Sequence, residues 1–440
     1  MSVINGTTGA DTLVGTTGDD TINGLAGNDV MSGGAGNDSI SGDTGADQFI
    51  GNEGNDTFNG GVDPDTDIVF YRQETGTGGV FANLTGASVT IGALTQAGNT
   101  GRDTHGNTDT YINIDGVEGS VGNDTLVGNN GDNWFRGMEG NDTINGGGGF
   151  DEMTFQPVLG AGQVPTTGVT VTFSGNGNGT VNNDGFGGVD VFTSIERIRG
   201  TMFADSVLGD ASDNTFRGLG GNDTFNAGAG YDTLDYTADA SVVFAASTGV
   251  TVNLGTGSAT DGFGNTDTFT SVEGVRGTRF VDLLTGSNRT DETEQFRGLA
   301  GNDIINGGAG NDTIVGGAGG DILTGGAGAD TFRYETTSQS LLGNYDVIKD
   351  LAIGTDVING PRAIAAAFVK KLGNVIALTE SAIQQVLTPT SFESNGASTF
   401  KFGNRTFLGL NDSKAGFSAS TDSVIEITGY SGNLSDLKIL

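Results

Sequence analysis

One feature constrains this chain more than any other: an aspartate that returns every nine residues. Asp11, Asp20, Asp29, Asp38, Asp47 and Asp56 keep that spacing, and two residues after each comes an apolar side chain: Leu13, Ile22, Met31, Ile40, Phe49 and Phe58. A glycine-rich hexad leads into each aspartate, as in Gly33-Gly34-Ala35-Gly36-Asn37-Asp38. The same order returns at Asp303, Asp312, Asp321 and Asp330, with Ile305, Ile314, Leu323 and Phe332 as apolar partners. Asp-x-apolar-x reads as a short strand with one side chain facing in. The glycine segment reads as a turn that needs positive φ and close backbone packing. Nine residues then make half a coil, and residues eighteen apart stack, so Asp11, Asp29 and Asp47 form one column and Asp20, Asp38 and Asp56 the other. Stacked carboxylates repel unless a cation sits between them, and hard oxygen donors favour calcium over softer metals. The expected fold is all-β, a parallel β-roll or β-solenoid of nonapeptides closed by a small mixed α+β C-terminal cap.

Composition points the same way. Of 440 residues 80 are glycine and only 35% are apolar, which raises the entropy cost of folding and limits the core that offsets it. The charge balance, 19 basic against 54 acidic residues, is strong self-repulsion in a compact body and lacks the footprint of a nucleic-acid binder. A disordered polyanion has no need of a period, so the register of the acids argues for a fold. Without cysteine there are no disulfides, and with no apolar run of about 18 residues no membrane insertion is expected. Met1-Ser2-Val3-Ile4-Asn5-Gly6 has neither the basic nor the apolar part of a Sec-type signal, so none is expected there.

The nonapeptide Gly-Gly-x-Gly-x-Asp-x-apolar-x resembles that of the repeats-in-toxin (RTX, hemolysin-type) family. The resemblance implies that two turns eighteen residues apart share each calcium ion. The first turn gives the carbonyls of positions one and three and its aspartate; the second gives the carbonyls of positions two and four and its own aspartate. In this chain Gly307, Ala309 and Asp312 would then face Gly326, Gly328 and Asp330. The expected calcium-binding glycine turns are Gly33, Gly34 and Gly36; Gly307, Gly308 and Gly310; Gly316, Gly317 and Gly319; and Gly325, Gly326 and Gly328. Pairs eighteen apart with aspartate at both ends predict eight well-formed sites. They are Asp11 with Asp29, Asp20 with Asp38, Asp29 with Asp47, Asp38 with Asp56, Asp124 with Asp142, Asp205 with Asp223, Asp303 with Asp321 and Asp312 with Asp330. Asp151 and Asp232 are also expected ligands, in sites weakened by the neutral amides Asn133 and Asn214, and Glu294 with Asp312 is a weaker pair.

A longer period of about eighty residues overlies the short one. Gly79-Val80-Phe81-Ala82-Asn83-Leu84 returns as Gly168 to Phe173 and as Gly249 to Leu254, each with the alternation of a strand. Asp109-Thr110-Tyr111, Asp190-Val191-Phe192 and Asp267-Thr268-Phe269 follow, then Asp115, Glu196 and Glu273, for which a structural or weak-ion role is expected. These stretches read as wider coils of one solenoid. The expected organisation is an N-terminal calcium roll (1–65), solenoid unit one (66–155), unit two (156–236), unit three with a C-terminal calcium roll (237–334), and a cap and export region (335–440). Phe58, Phe135, Phe216, Phe225, Phe296 and Phe332 fall at inward positions and read as core, whereas Trp134 stands beside one and is expected at the surface.

Beyond Tyr334 the nonapeptides stop. Asp346 to Leu351 and Gly354 to Ile358 read as two closing strands, Ala363 to Leu372 and Ser381 to Leu387 as helices, and Gly403-Asn404 as a hairpin turn before a last strand at Ser423 to Thr428. The Asp-x-Ile…Gly-x-Asp-x-Ile pattern resembles the part of serralysin-like proteases that follows their rolls. Asn411-Asp412, Ala415-Gly416-Phe417 and Ile425 to Gly432 resemble the tail of cyanobacterial putative surface proteins exported by type I secretion. Those likenesses imply a secreted, extracellular protein, associated with the cell surface, that folds on meeting calcium outside.

No catalytic constellation stands out. There is no His-Glu-x-x-His, His105 is the single histidine, and no Gly-x-Ser-x-Gly elbow or phosphate loop occurs. His105 reads as a solvated loop residue. Calcium already explains the regular carboxylates, so no enzyme is expected. The candidate roles are a structural component of surface or matrix, a calcium-dependent polysaccharide-binding module, and a carboxylate-based polysaccharide hydrolase or lyase. The candidate partners are calcium, surface polysaccharide and further copies of the chain.

Overall fold

Alternation inside each nonapeptide decides its strand. In Thr21–Ala26, Ile22 is fully buried while Thr21 and Asn23 on either side are half-buried. That strand pairs in parallel with Ser39–Thr44, placing Ile22 opposite Ile40, and Val30–Ala35 pairs with Gln48–Glu53, placing Met31 opposite Phe49. Partners are eighteen residues apart, so two parallel sheets grow together, one from each half of every coil. Between them lie Ile22, Met31, Ile40, Phe49 and Phe58, each no more than 1% exposed. Each such side chain contributes about 1.5–3 kcal/mol of burial.

The computed structural model describes residues 1–76, 78–156, 164–237 and 248–440, which divide into two units, Met1–Gly230 and Tyr231–Leu440. Within the second unit, Phe296 faces Ile314, which faces Phe332, and Ile305 faces Leu323, again in parallel register.

The wide coils are not parallel throughout. In the first, Phe81–Asn83 runs antiparallel to Thr100–Arg102, which runs antiparallel to Thr108–Ile112; the two outer strands join the roll, Thr108–Ile112 parallel to Thr57–Gly61 and Phe81–Asn83 parallel to Thr125–Val127. The second coil repeats this with Thr170–Gly175, Asn178–Asn183 and Asp190–Thr193, and the third opens the same way with Thr251–Asn253, Ser258–Thr260 and Thr266–Thr270. The reason is geometric. A pair of extra strands, one down and one up, returns the chain to its original direction without a crossover. On the opposite side of the first unit Ile68–Phe70, Gly116–Glu118 and Trp134–Arg136 stay strictly parallel.

Trp134 and the stretch Ala363 to Leu372 depart from what their sequence predicts. Trp134 is only 8% exposed, packed on Phe70 at 6.4 Å in a cluster with Ile50 and Ile68. Gly116 lies between Ile68 and Trp134 in the strand register, and a Cβ there would stand 2.8 Å from the Trp134 carbonyl oxygen and 3.2 Å from Ile68 Cγ1. Ala363 to Leu372 is not a helix: it forms a single 3-10 turn, Ala366–Phe368, and then the strand Lys370–Asn374, paired with Ala397–Phe402. Alanine propensity is a weak prior, and pairing to an open strand overrode it. Glu380–Gln384 is helical, capped by Thr379. Ala397–Phe402 and Arg405–Leu410 form the hairpin about Gly403-Asn404. Asp346–Ile348 and Val357–Asn359 extend the two sheets of the second roll, and Ser423–Glu426 pairs with the first of them. The cap has its own core of Ile383, Leu387, Phe392, Phe400, Phe407 and Val424.

Candidate metal centres

The turns bring the aspartates together through one recurring bond. The backbone N–H of each aspartate donates to Oδ1 of the aspartate one coil later. In the N-terminal roll this joins Asp11 to Asp29, Asp20 to Asp38, Asp29 to Asp47 and Asp38 to Asp56, at 2.7–2.8 Å. It joins Asp124 to Asp142 at 2.8 Å and Asp205 to Asp223 at 2.9 Å. In the C-terminal roll it joins Asp303 to Asp321 and Asp312 to Asp330, at 2.8 and 3.0 Å. Glu294 and Asp312 share the same bond at 3.0 Å. Every one of the predicted aspartates is at most 2% exposed except Asp11, which is half-buried near the chain start.

The second oxygen decides the chemistry. Oδ2 of Asp29, Asp38, Asp47, Asp56, Asp142, Asp151, Asp303, Asp312, Asp321 and Asp330 is buried without a hydrogen-bond donor. A buried carboxylate oxygen left bare is strongly unfavourable, and a row of them more so. Burial accordingly pushes the carboxyls of Asp47 and Asp56 up to about 7 and Asp303 to about 8, against an ordinary 3.8. Three arginines of the first unit are engaged elsewhere: Arg72 and Arg136 hold Glu118 at 3.1 Å each, and Arg197 holds Glu152 at 3.3 Å. A divalent cation, with hard charge and no directional demand, fits this row of oxygens.

The glycines form the wall of the cradle. A Cβ on Gly33, Gly307, Gly316 or Gly325 would stand 2.2–2.6 Å from Oδ2 of the aspartate five residues on. Asp223 lies in the same cradle, with its Oδ2 only 2.1 Å from where a Cβ on Gly218 would stand. Gly34, Gly308, Gly317 and Gly326 at the second position, and Gly36, Gly310, Gly319 and Gly328 at the fourth, have φ between +98° and +152°. Asp43 and Asn52 occupy the second position with φ of 74° and 69°, which short polar side chains tolerate, and Leu25, Met138, Leu219 and Leu299 occupy it with φ of 71–81°, a conformation that opposes their side chains. The turn therefore holds its shape even where the residue resists it.

Two features escaped the sequence reading. The first is a hydroxyl four residues before the aspartate that opens an array. Thr7, Thr16, Ser120 and Thr201 donate both hydroxyl and amide to Asp11, Asp20, Asp124 and Asp205, and Thr278 does so to Asp282. These carboxylates already have protein donors, and Asp20 is held down to about 2, chiefly by the Thr16 hydroxyl. Four of the eight expected sites are therefore unequal pairs, which the spacing of aspartates alone did not show. In them Asp29, Asp38, Asp142 and Asp223 face a first aspartate whose carboxylate the protein itself already holds.

The second feature is the continuation of the ladder through the wide coils and into the cap, of which only the structural or weak-ion role of Glu196 and Glu273 was expected. Asp56 N–H donates to Asp109, Asp142 to Asp190, Asp151 to Glu196, Asp232 to Glu273, Asp321 to Asp346 and Asp330 to Asp356. The Asp-x-apolar half of the repeat was visible at Asp109, Asp190, Asp346 and Asp356; the glycine turn that marks a ligand was missing. Asn133 keeps the ladder bond without the charge: its backbone N–H donates to Asp151 Oδ1 at 2.7 Å and its side-chain N–H₂ to the Asp115 carbonyl at 3.0 Å.

The RTX calcium-binding nonapeptide repeat, in blocks of 4 copies, matches residues 5–40, 32–67, 118–153, 199–234 and 297–332. The chain carries RTX calcium-binding repeats. The matched segments contain all the predicted aspartates of the RTX arrays, Asp223 and Asp232 among them. No curated protein matches the chain. Among solved structures it is similar to the extracellular lipase LipA from Serratia marcescens, at 14% identity and a TM-score of 0.21, over 86% of this chain and 45% of that one.

When bound, calcium supplies charge neutralisation and oxygen coordination between successive RTX turns. Asp29 to Asp56, Asp142, Asp151, Asp223 and Asp303 to Asp330 would hold it with the carbonyls of their turns. The residues of the chain contribute a preset turn, an Oδ1 anchored by the ladder bond and an Oδ2 turned toward the ion.

Proposed function

We propose that this is a secreted structural protein of the cell surface or extracellular matrix, without catalytic activity, which is exported unfolded and folded by calcium outside. The supporting observation is the row of buried, unsatisfied carboxylate oxygens in register. Without cations it opposes the fold; with them it becomes the fold's main adhesive. In a cytoplasm poor in free calcium the chain stays extended and fit for a type I exporter, with residues 335–440 as the export region. Outside, metal-binding free energy becomes folding free energy. Contacts to surface polysaccharide or to further copies of the chain belong to this reading.

A far-ultraviolet circular dichroism titration with calcium, starting from chelated protein and counting bound ions, tests it. A cooperative coil-to-β change is the expected result. A β spectrum indifferent to chelation would remove the calcium switch on which the export reading rests.

A further inference from the structure

Three copies of one loop lie in the wide coils: Asp103-Thr104-His105-Gly106-Asn107, Asp184-Gly185-Phe186-Gly187-Gly188 and Asp261-Gly262-Phe263-Gly264-Asn265. In each, the leading aspartate caps the loop by accepting backbone N–H groups: His105 and Asn107 on Asp103, Phe186 to Gly188 on Asp184, Phe263 and Asn265 on Asp261. The scaffold is shared, but the first copy carries Thr-His where the others carry Gly-Phe. It also has a carboxylate partner. Glu74, from the preceding turn, reaches under the loop and accepts from the Thr104 amide at 2.9 Å and its hydroxyl at 2.7 Å. The Glu74 side chain is 1% exposed, its Oε2 stands 3.9 Å from His105 Nδ1, and its Oε1 is buried without a donor. Asp103 completes the group, being 2% exposed, and one ligand atom from each of the three residues lies within 4.8 Å of the others.

We propose that Glu74, Asp103 and His105 form a site for a divalent first-row transition ion, distinct from the calcium ladder. One imidazole nitrogen with two carboxylates is a donor set for zinc-like ions, whereas the ladder offers oxygen alone. The other imidazole nitrogen, Nε2, lies 3.9 Å from Glu53, the carboxylate neighbour that orients a metal-binding histidine. The two sister loops, with phenylalanine in place of histidine, retain the cap and lose the ligand.

Zinc titrated into the calcium-saturated full-length chain tests the assignment. The expected result is one ion per chain that shifts the imidazole resonances of His105, the only histidine, at one equivalent and releases no calcium. His105→Phe, which reproduces the sister loops at an exposed position, should weaken that ion at least about tenfold, with circular dichroism and bound calcium unchanged. Glu74→Gln, which keeps an oxygen for Thr104, should weaken it similarly. Zinc binding unaltered in His105→Phe, imidazole signals unmoved at one equivalent, or zinc taken up only by displacing calcium would each overturn the site.

Discussion

At the scale of single residues, the two oxygens of each interior array aspartate have different tasks. Oδ1 is a structural acceptor for the neighbouring coil and Oδ2 is left for an ion. Asp321→Asn keeps an oxygen for Asp303 N–H but removes the charge. It should raise the calcium midpoint of folding, costing about 2 kcal/mol, and lower the ion count, while the β spectrum at saturating calcium stays intact. Thr16→Val separates the opening turns from the rest. Asp20 loses its hydroxyl donor there, so stability should fall slightly in urea unfolding while the number of bound ions stays the same. Equal ion loss in the two variants would refute the distinction between opening and interior turns.

At the scale of turns and strands, the backbone is constrained more tightly than the side chains. Gly34 has φ of +101°, and a Cβ there would stand 2.1 Å from the Thr16 carbonyl. Gly34→Ala should therefore weaken calcium-induced folding even though no ligand atom is removed, seen as a raised midpoint in the same titration. The apolar stack is the second element-scale contribution. Phe332→Ala should cost about 3–5 kcal/mol in denaturant unfolding at saturating calcium, because Ile314 and Ile358 flank it in the strand register and it is fully buried.

At the scale of the whole molecule, the carboxylates make stability a function of pH as well as calcium. Their folded values, about 6 for Asp312 and Asp321, about 7 for Asp47 and Asp56 and about 8 for Asp303, lie above the ordinary 3.8 because burial disfavours charge. A group raised in this way favours the chelated fold below about pH 4, and that contribution is lost as pH rises through the folded values. In chelator, β structure measured by circular dichroism should therefore be greater at pH 5 than at pH 8. With calcium the order should invert, since the ion binds the deprotonated ligands more tightly as pH rises. A chelated fold that gains stability between pH 5 and 8 would show that the buried oxygens are compensated by something other than protons or cations.

The nine-residue period by itself determined the coil, the inward apolar column and the stacked aspartates. Each follows from local spacing: period-two alternation turns Ile22 and Ile40 inward, and an eighteen-residue coil sets Ile22 against Ile40, Asp303 against Asp321 and Asp205 against Asp223. The stacked hard oxygens pointed to calcium, and family resemblance supplied the division of carbonyls between turns. Only the tertiary structure decided what happens where the period lapses. The antiparallel excursions between Phe81–Asn83 and Thr108–Ile112, the ladder bond from Asp56 to Asp109 across 53 residues, and the burial of Trp134 against Phe70 all depend on contacts between segments with no shared spacing. The same is true of Glu74 beneath His105. Its spacing of thirty from Thr104 carries no signal along the chain, and the site exists only because a wide coil folds the two stretches together.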